Sequence, residues 1–246
     1  MSDLRPVAVV LVAMDDEAAP FLDLASEVGE PEHVGLAAHR HVTLGGRPAV
    51  LVRSGIGFVN ASAAGASAIL RYGTDVPLIS AGSAGGLATG IAVGDVVLGV
   101  RLVNADADAR AFGYVLGQVP GMPAAYDATG ALTDAVRQAA GEVEARASAD
   151  GWEPWVLREG TIGSGEKFAT SDLALRLRAD FPEMLAVDME SAALAQLCHN
   201  FGSAFVSVRA VSDLCAPDGT EFLTHVDDAA QRSAQVVTAA IGLLAR

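Results

Sequence analysis

Short apolar runs rich in valine alternate along the chain with alanine-rich stretches of helical length. Unbroken apolar runs suit strands buried on both faces, and their alternation with helices predicts an α/β fold. The expected architecture is a mixed, mostly parallel twisted central sheet flanked by helices. Strands are predicted at Val7–Met14, Ala38–Leu44, Ala49–Ser54, Val76–Ala81, Asp95–Asn104, Trp155–Ser164, Leu185–Met189 and Ala204–Ser212. The Gly45-Gly46 turn separates the second and third of these. Helices are predicted near 17–26, 59–72, 130–147, 171–179, 191–200 and 225–244. From Ala105 to Asp127 the chain carries Gly113, Gly117, Pro120, Gly121 and Pro123, too much punctuation for a regular element. No repeat, charge block or low-complexity linker divides the sequence, so residues 1–246 read as one domain.

Composition narrows the function classes. Hydrophobic residues make up 51% of the 246 positions and charged ones 19%, which belongs to a folded globular protein. Asp and Glu total 30 against 16 Lys and Arg, and the net charge of −14 repels nucleic acid and anionic membranes alike. Two cysteines, Cys198 and Cys215, supply neither a disulfide framework nor a zinc cluster. The apolar run Val7–Met14 is too short for a membrane span and lacks the flanks of a secretory signal, so a cytoplasmic location is expected.

Several familiar signatures fail on inspection. Gly55-Ile56-Gly57 opens like a dinucleotide fingerprint, but Asn60 stands where the third glycine belongs. Lys167, the only lysine, has no glycine at phosphate-loop spacing, and no Gly-x-Ser-x-Gly elbow occurs. His39 and His41 share one face of a strand, yet no third ligand is tied to them by spacing, and they read as an ordinary surface pair. Asn60-Ala61-Ser62 matches a glycosylation sequon that a chain without a secretory signal would not use. No metal and no cofactor is expected.

What survives is a set of polar residues at the carboxyl ends of apolar strands, where α/β sheets bind ligands. Ala13-Met14 runs into Asp15, Asp16 and Glu17 at a helix start. Ile79–Leu87 is a strand feeding a glycine-rich loop that includes Ser83. Leu185–Glu190 ends in acids, and Val206–Asp213 carries Arg209 before finishing in Ser212-Asp213. Arg209 and Asp213, four apart, would share one side of their strand. A buried arginine keeps its charge and must be paired, and Glu190 is the expected partner.

These fragments, together with Ser54–Gly57, Gly82–Leu87, Ala111–Tyr114, Gly117–Gly121, Ser164–Phe168 and Val187–Glu190, resemble in order the 5′-methylthioadenosine/S-adenosylhomocysteine nucleosidases of the nucleoside phosphorylase superfamily. The resemblance spans nearly the whole chain and implies a nucleoside phosphorylase-like fold. It also implies irreversible hydrolysis of the bond between adenine and a 5′-thio-substituted ribose. Such a cleavage develops positive charge on the sugar and negative charge on the purine, so it needs an acid, a carboxylate near the sugar and an activated water. By the resemblance, Asp213 is the general acid, Glu17 activates the water, and Glu190 grips the ribose hydroxyls. Arg209 holds Glu190, and Met189 and Val187 line the sugar pocket. Phe168 stacks on the purine, the backbone of Ala169 reads its edge, and Ser83 and Ser212 complete the floor. The family likeness further implies a homodimer in which Phe112, Tyr114 and Pro120 cover the partner's site.

Two departures bear on substrate choice. Asp188 and Glu166 stand where the family usually has glutamate and aspartate. The stretch Leu214–Phe222 is short and lacks an aromatic that helps enclose the 5′ group, a role left to Phe222. The alternatives are therefore a futalosine or aminodeoxyfutalosine hydrolase, a nucleoside phosphorylase, or a noncatalytic nucleoside-binding protein. Phosphorolysis is disfavoured because Ser80 occupies the position where phosphorolytic relatives carry an arginine.

Overall fold

A computed structural model describes residues 5–149 and 154–244. In chain order the elements are β1 (Val9–Val12), α1 (Asp15–Leu24), β2 (Glu27–Val28), β3 (Glu32–Val34), β4 (Ala37–Leu44), β5 (Arg47–Arg53), α2 (Phe58–Tyr72), β6 (Leu78–Gly86), β7 (Val96–Asn104), β8 (Tyr126–Asp127), α3 (Gly130–Ala149), β9 (Leu157–Ser164), α4 (Ser171–Asp180), β10 (Met184–Asp188), α5 (Ser191–Phe201), β11 (Phe205–Asp213) and α6 (Thr220–Leu243). Every predicted strand and helix has its counterpart. The additions, β2, β3, β8 and a single 3₁₀ turn at Arg110–Phe112, are two or three residues long, too short to leave a periodic signature. Two boundaries need correction. α6 begins at Thr220 and not near 225, its first turn opened by Asp218, whose carboxylate accepts the Thr220 N–H at 3.0 Å. The glycine-rich segment expected as a loop continues β6 through Gly86, paired with β11 as far as Gly85 and with β10 at Gly85 and Gly86.

All strands join one mixed sheet, ordered β10-β9-β7-β11-β6-β1-β5-β4-β2, with β3 on β4 and β8 on β7. Parallel ladders run through β5-β1-β6-β11 and through β7-β9-β10, while β7 meets β11 antiparallel. The sheet also curls back on itself, because β10 pairs antiparallel with the end of β6 at Gly85 and Gly86.

Both faces of the sheet are dry. Val10 and Val12 of β1 pack with Val206, Val208 and residues of α3 and α6, whereas Val9 and Leu11 point the other way into a second core built on α2 and α5. Burial on both sides explains why these strands read as unbroken apolar runs rather than alternating ones. A third, smaller cluster under α4 holds Ala169, Met184 and Val187. No helix among the described residues is long and apolar enough to cross a membrane.

This topology creates the opening the site occupies. β6 pairs with β1 only at Leu78–Ser80 and with β10 only at Gly85–Gly86. Between them, one edge of residues 81–84 is left without a neighbouring strand, and that gap is where the chain brings its acids.

Candidate active site

Glu17 fills the gap. It sits in the first turn of α1, where Asp15 and Asp16 face solvent and Glu17 turns inward to 1% exposure. One oxygen, Oε2, accepts the Ala13 and Met14 N–H groups at 2.8 and 3.3 Å. The other, Oε1, accepts the Ser83 N–H at 2.9 Å and the Ser83 hydroxyl at 3.0 Å. The carboxylate therefore takes the place of a strand in bonding the exposed edge of β6. Gly82 makes this approach feasible: its φ is +134°, and a Cβ there would fall 2.2 Å from Glu17 Oε1.

Asp213 closes β11. A bulge between Val211 and Asp213 interrupts the alternation, so Ser212 and Asp213 both reach the cavity. The Ser212 hydroxyl donates to Asp213 Oδ2 at 2.8 Å and the Cys215 N–H to Oδ1 at 2.9 Å. Cys215 itself takes a left-handed φ of 59°, alone among the described non-glycine residues. Burial pushes both thiols, Cys198 and Cys215, up to about 12, with the Asp213 charge adding to the effect on Cys215.

Glu190 caps the start of α5, also buried, and its Oε1 accepts the Gly57 N–H at 2.9 Å. Gly57, with φ +93°, leaves room at the same point for the Glu166 carboxylate, whose oxygen would lie 2.6 Å from a Cβ. Burial pushes the Glu190 carboxyl up to about 7; the Arg209 charge opposes this, and the Asp188 and Glu17 charges reinforce it.

Beneath these acids lies Arg209, 1% exposed and absent from the cavity wall. The expected pairing with Glu190 exists at 3.4 Å, but it is not the closest. Asp188 Oδ2 lies 3.0 Å from Arg209 Nε, and Glu17 Oε1 lies 3.9 Å from Nη1. The guanidinium also donates to Ser80 Oγ at 2.7 Å and to the Ser83 carbonyl at 3.3 Å. Three buried carboxylates thus surround one cation. The sequence places Asp188 among the acids ending a strand but gives no sign that it is the carboxylate nearest to Arg209.

The cavity, about 150 Å³ and open to solvent on one side, is walled by Glu17, Ser83, Phe168, Ala169, Val187, Met189, Glu190, Ser212 and Asp213, all predicted site residues. Ala13, Met14, Ile56, Ala84, Gly85, Lys167, Asp188 and Phe222 complete it. Of these, Ile56 and Lys167 lie in the motif segments Ser54–Gly57 and Ser164–Phe168, but the sequence does not single them out as site residues. Phe168, 45% exposed, meets Phe222 edge-on with ring centroids 5.5 Å apart, so an aromatic pair forms one rim. Lys167 sits 3.4 Å from Asp106. The three predicted lid residues do not line this chain's own cavity: Phe112 is 82% exposed, and Tyr114 and Pro120 lie in the same outward segment.

His39 and His41 belong elsewhere and correct the expectation of a surface pair. His39 is buried, bonded to Ser67 Oγ at 2.9 Å and stacked obliquely on Tyr72, and burial lowers its pKa. His41 meets the same tyrosine edge-on. Among the described residues no cluster of three or more His, Cys, Asp or Glu is arranged to hold a metal ion.

Comparison with known proteins bears on this geometry. The family described as the phosphorylase superfamily matches residues 7–242. A 5′-methylthioadenosine/S-adenosylhomocysteine nucleosidase of Geobacillus thermodenitrificans is 39% identical over 234 residues, 94% of each chain. The solved nucleosidase of Neisseria meningitidis, in complex with methylthio-immucillin-A, superposes with a TM-score of 0.87 at 37% identity, covering 98% of this chain and 100% of that one. A futalosine hydrolase of Helicobacter pylori superposes with a TM-score of 0.84 at 25% identity, covering 96% and 97%.

Proposed function

The chain belongs to the 5′-methylthioadenosine/S-adenosylhomocysteine nucleosidases of the phosphorylase superfamily, and from that premise we propose that its cavity hydrolyses the N-glycosidic bond of those two nucleosides. The observation that carries the reading is the convergence of Glu17, Glu190 and Asp213, distant in sequence, on the wall of one cavity. Water's oxygen bonds to the anomeric carbon, the glycosidic electron pair leaves with the purine, and adenine and a 5′-thioribose result.

Each residue has a part suited to its surroundings. Asp213, fixed by Ser212 and Cys215, hands a proton to the departing purine. Glu17 takes a proton from the water. Its oxygens hold four donors, of which only the Ser83 hydroxyl can rotate away, so a water binds Oε1 by displacing that hydroxyl. Glu190 accepts the ribose hydroxyls and stabilises positive charge developing on the sugar. Phe168 supplies an aromatic face for the purine, Ala169 a backbone edge beside it, and Val187 and Met189 apolar walls for the sugar. Water is favoured over phosphate because the buried carboxylates outnumber Arg209, and Ser80 is already bonded to that arginine.

A homodimer is part of the same proposal. Phe112 is 82% exposed, which suits a residue that covers the partner's cavity. Two free, buried thiols suit the reducing cytoplasm. The second reading, a futalosine-type hydrolase, rests on the short segment before Phe222, where that single ring must close the 5′ end.

The test measures adenine release from methylthioadenosine, adenosylhomocysteine and aminodeoxyfutalosine side by side, with and without phosphate. The expected result is phosphate-independent release from the first two, with free thioribose as product. A phosphate requirement, or preference for aminodeoxyfutalosine, overturns the reading.

A further inference from the structure

Asp188 ends β10 and, like Glu17, accepts four hydrogen bonds within the buried cluster. Its Oδ1 accepts the Ser164 hydroxyl and the Glu190 and Ser191 N–H groups, the latter two at 3.2 and 3.1 Å. Its Oδ2 accepts the Ser191 hydroxyl and faces Arg209 Nε at 3.0 Å. Ser164 in turn accepts the Ala192 N–H at 2.8 Å, so β9, β10, the first turn of α5 and β11 all meet at this one carboxylate. Glu190, by contrast, has one backbone donor and a guanidinium contact of 3.4 Å.

The difference decides where a proton resides. Three carboxylates around one arginine carry a net negative charge out of water, and such a group sheds it by binding a proton. The acid with the fewest donors takes it first. Asp188, held by two hydroxyls and two amide protons with Arg209 Nε 3.0 Å away, has far more partners for a charged carboxylate than Glu190 does.

We propose that Asp188 is a positioning residue that holds Arg209 and, through its fixed negative charge, sets the pH at which Glu190 becomes the anion that receives the ribose hydroxyls. This rests on the hydrolase reading above and deepens it. The charged groups facing Glu190 are Asp188 on β10, Arg209 on β11 and Glu17 on α1. Of these, Asp188 edges the cavity wall but is assigned no substrate or water atom. With its charge removed, Arg209 is left with two acids instead of three, and Glu190 ionises at lower pH.

The experiment compares pH profiles of kcat/KM for methylthioadenosine in wild type, Asp188→Asn and Asp188→Glu, with each fold checked by circular dichroism. Asp188→Asn is expected to move the acid limb down by about one pH unit, the usual size of a neighbouring-charge effect. Asp188→Glu, which keeps the charge, is expected to leave the limb in place even if kcat falls. A residue that merely capped α5 would lower kcat in both variants without moving the limb. An unmoved limb in Asp188→Asn, or an equal displacement in Asp188→Glu, overturns the proposal. Should the asparagine variant not fold, Asp188→Ser is read in its place by the same criteria. Failure of the hydrolase reading is distinguishable, since wild type itself would then release no adenine.

Discussion

Replacing Glu190 by glutamine tests the electrostatics of the site through stability rather than rate. Burial raises the Glu190 carboxyl from its ordinary 4.5 to about 7. The folded state therefore binds this proton more tightly than the unfolded chain. The resulting stabilisation is fully present below pH 4.5 and is lost as pH rises through about 7. At about 1.4 kcal/mol per pH unit, the displacement is worth on the order of 3 kcal/mol between those limits. Glu190→Gln removes the titration while keeping an oxygen that can accept the Gly57 N–H. Its loss of the charged contact with Arg209 adds a constant offset that does not titrate with this group. The measurement is urea unfolding of both proteins at one concentration across pH 5–8. The variant should gain stability relative to wild type as pH rises, with most of the gain between pH 5 and 7.5. Parallel stability curves would refute the argument that ionised Glu190 is held against its solvation preference.

Further outcomes follow from the site's geometry. Glu17→Gln and Asp213→Asn should each reduce kcat by about 10²-fold or more, as expected for loss of general acid–base groups, with the fold retained by circular dichroism; near-normal turnover in either removes that residue from its role. Gly82→Ala puts a methyl group 2.2 Å from Glu17 Oε1 on a backbone that favours glycine, so thermal unfolding should show a loss of about 1–3 kcal/mol together with impaired turnover. Phe112→Ala should raise KM for methylthioadenosine while changing unfolding free energy by less than about 0.5 kcal/mol, the usual effect at an exposed position; an unchanged KM argues against its covering the partner's cavity.

Strand ends were the legible part of this molecule. Apolar runs buried on both faces announced β1, β6 and β11, and the acids at the ends of β1, β10 and β11 announced where the cavity lies. Contacts set by tertiary packing were not legible. Glycine is normally scarce in strands, so Gly82–Gly86 looked like a loop; there the missing side chains admit Glu17 and Cys215 against a continuing strand. Asp188 and Glu190 flank Met189 and carry the same charge, and only the meeting of β10, α5 and β11 shows that the shorter side chain holds Arg209 more closely. His39 looked exposed because its partner, Tyr72, lies at the far end of α2.

The gap in β6 has a consequence for how this enzyme can change over time. Glu17, the proposed water-activating group, is anchored to main-chain amides of a sheet that closes on itself, a foundation that side-chain replacement scarcely alters. The opposite rim, Phe168 against Phe222, rests on two half-open rings at the ends of separate segments. With Phe222 closing the 5′ end as proposed, selection for a bulkier or smaller 5′ group can act on that one ring, which carries none of the acids, while the diet of nucleosides drifts.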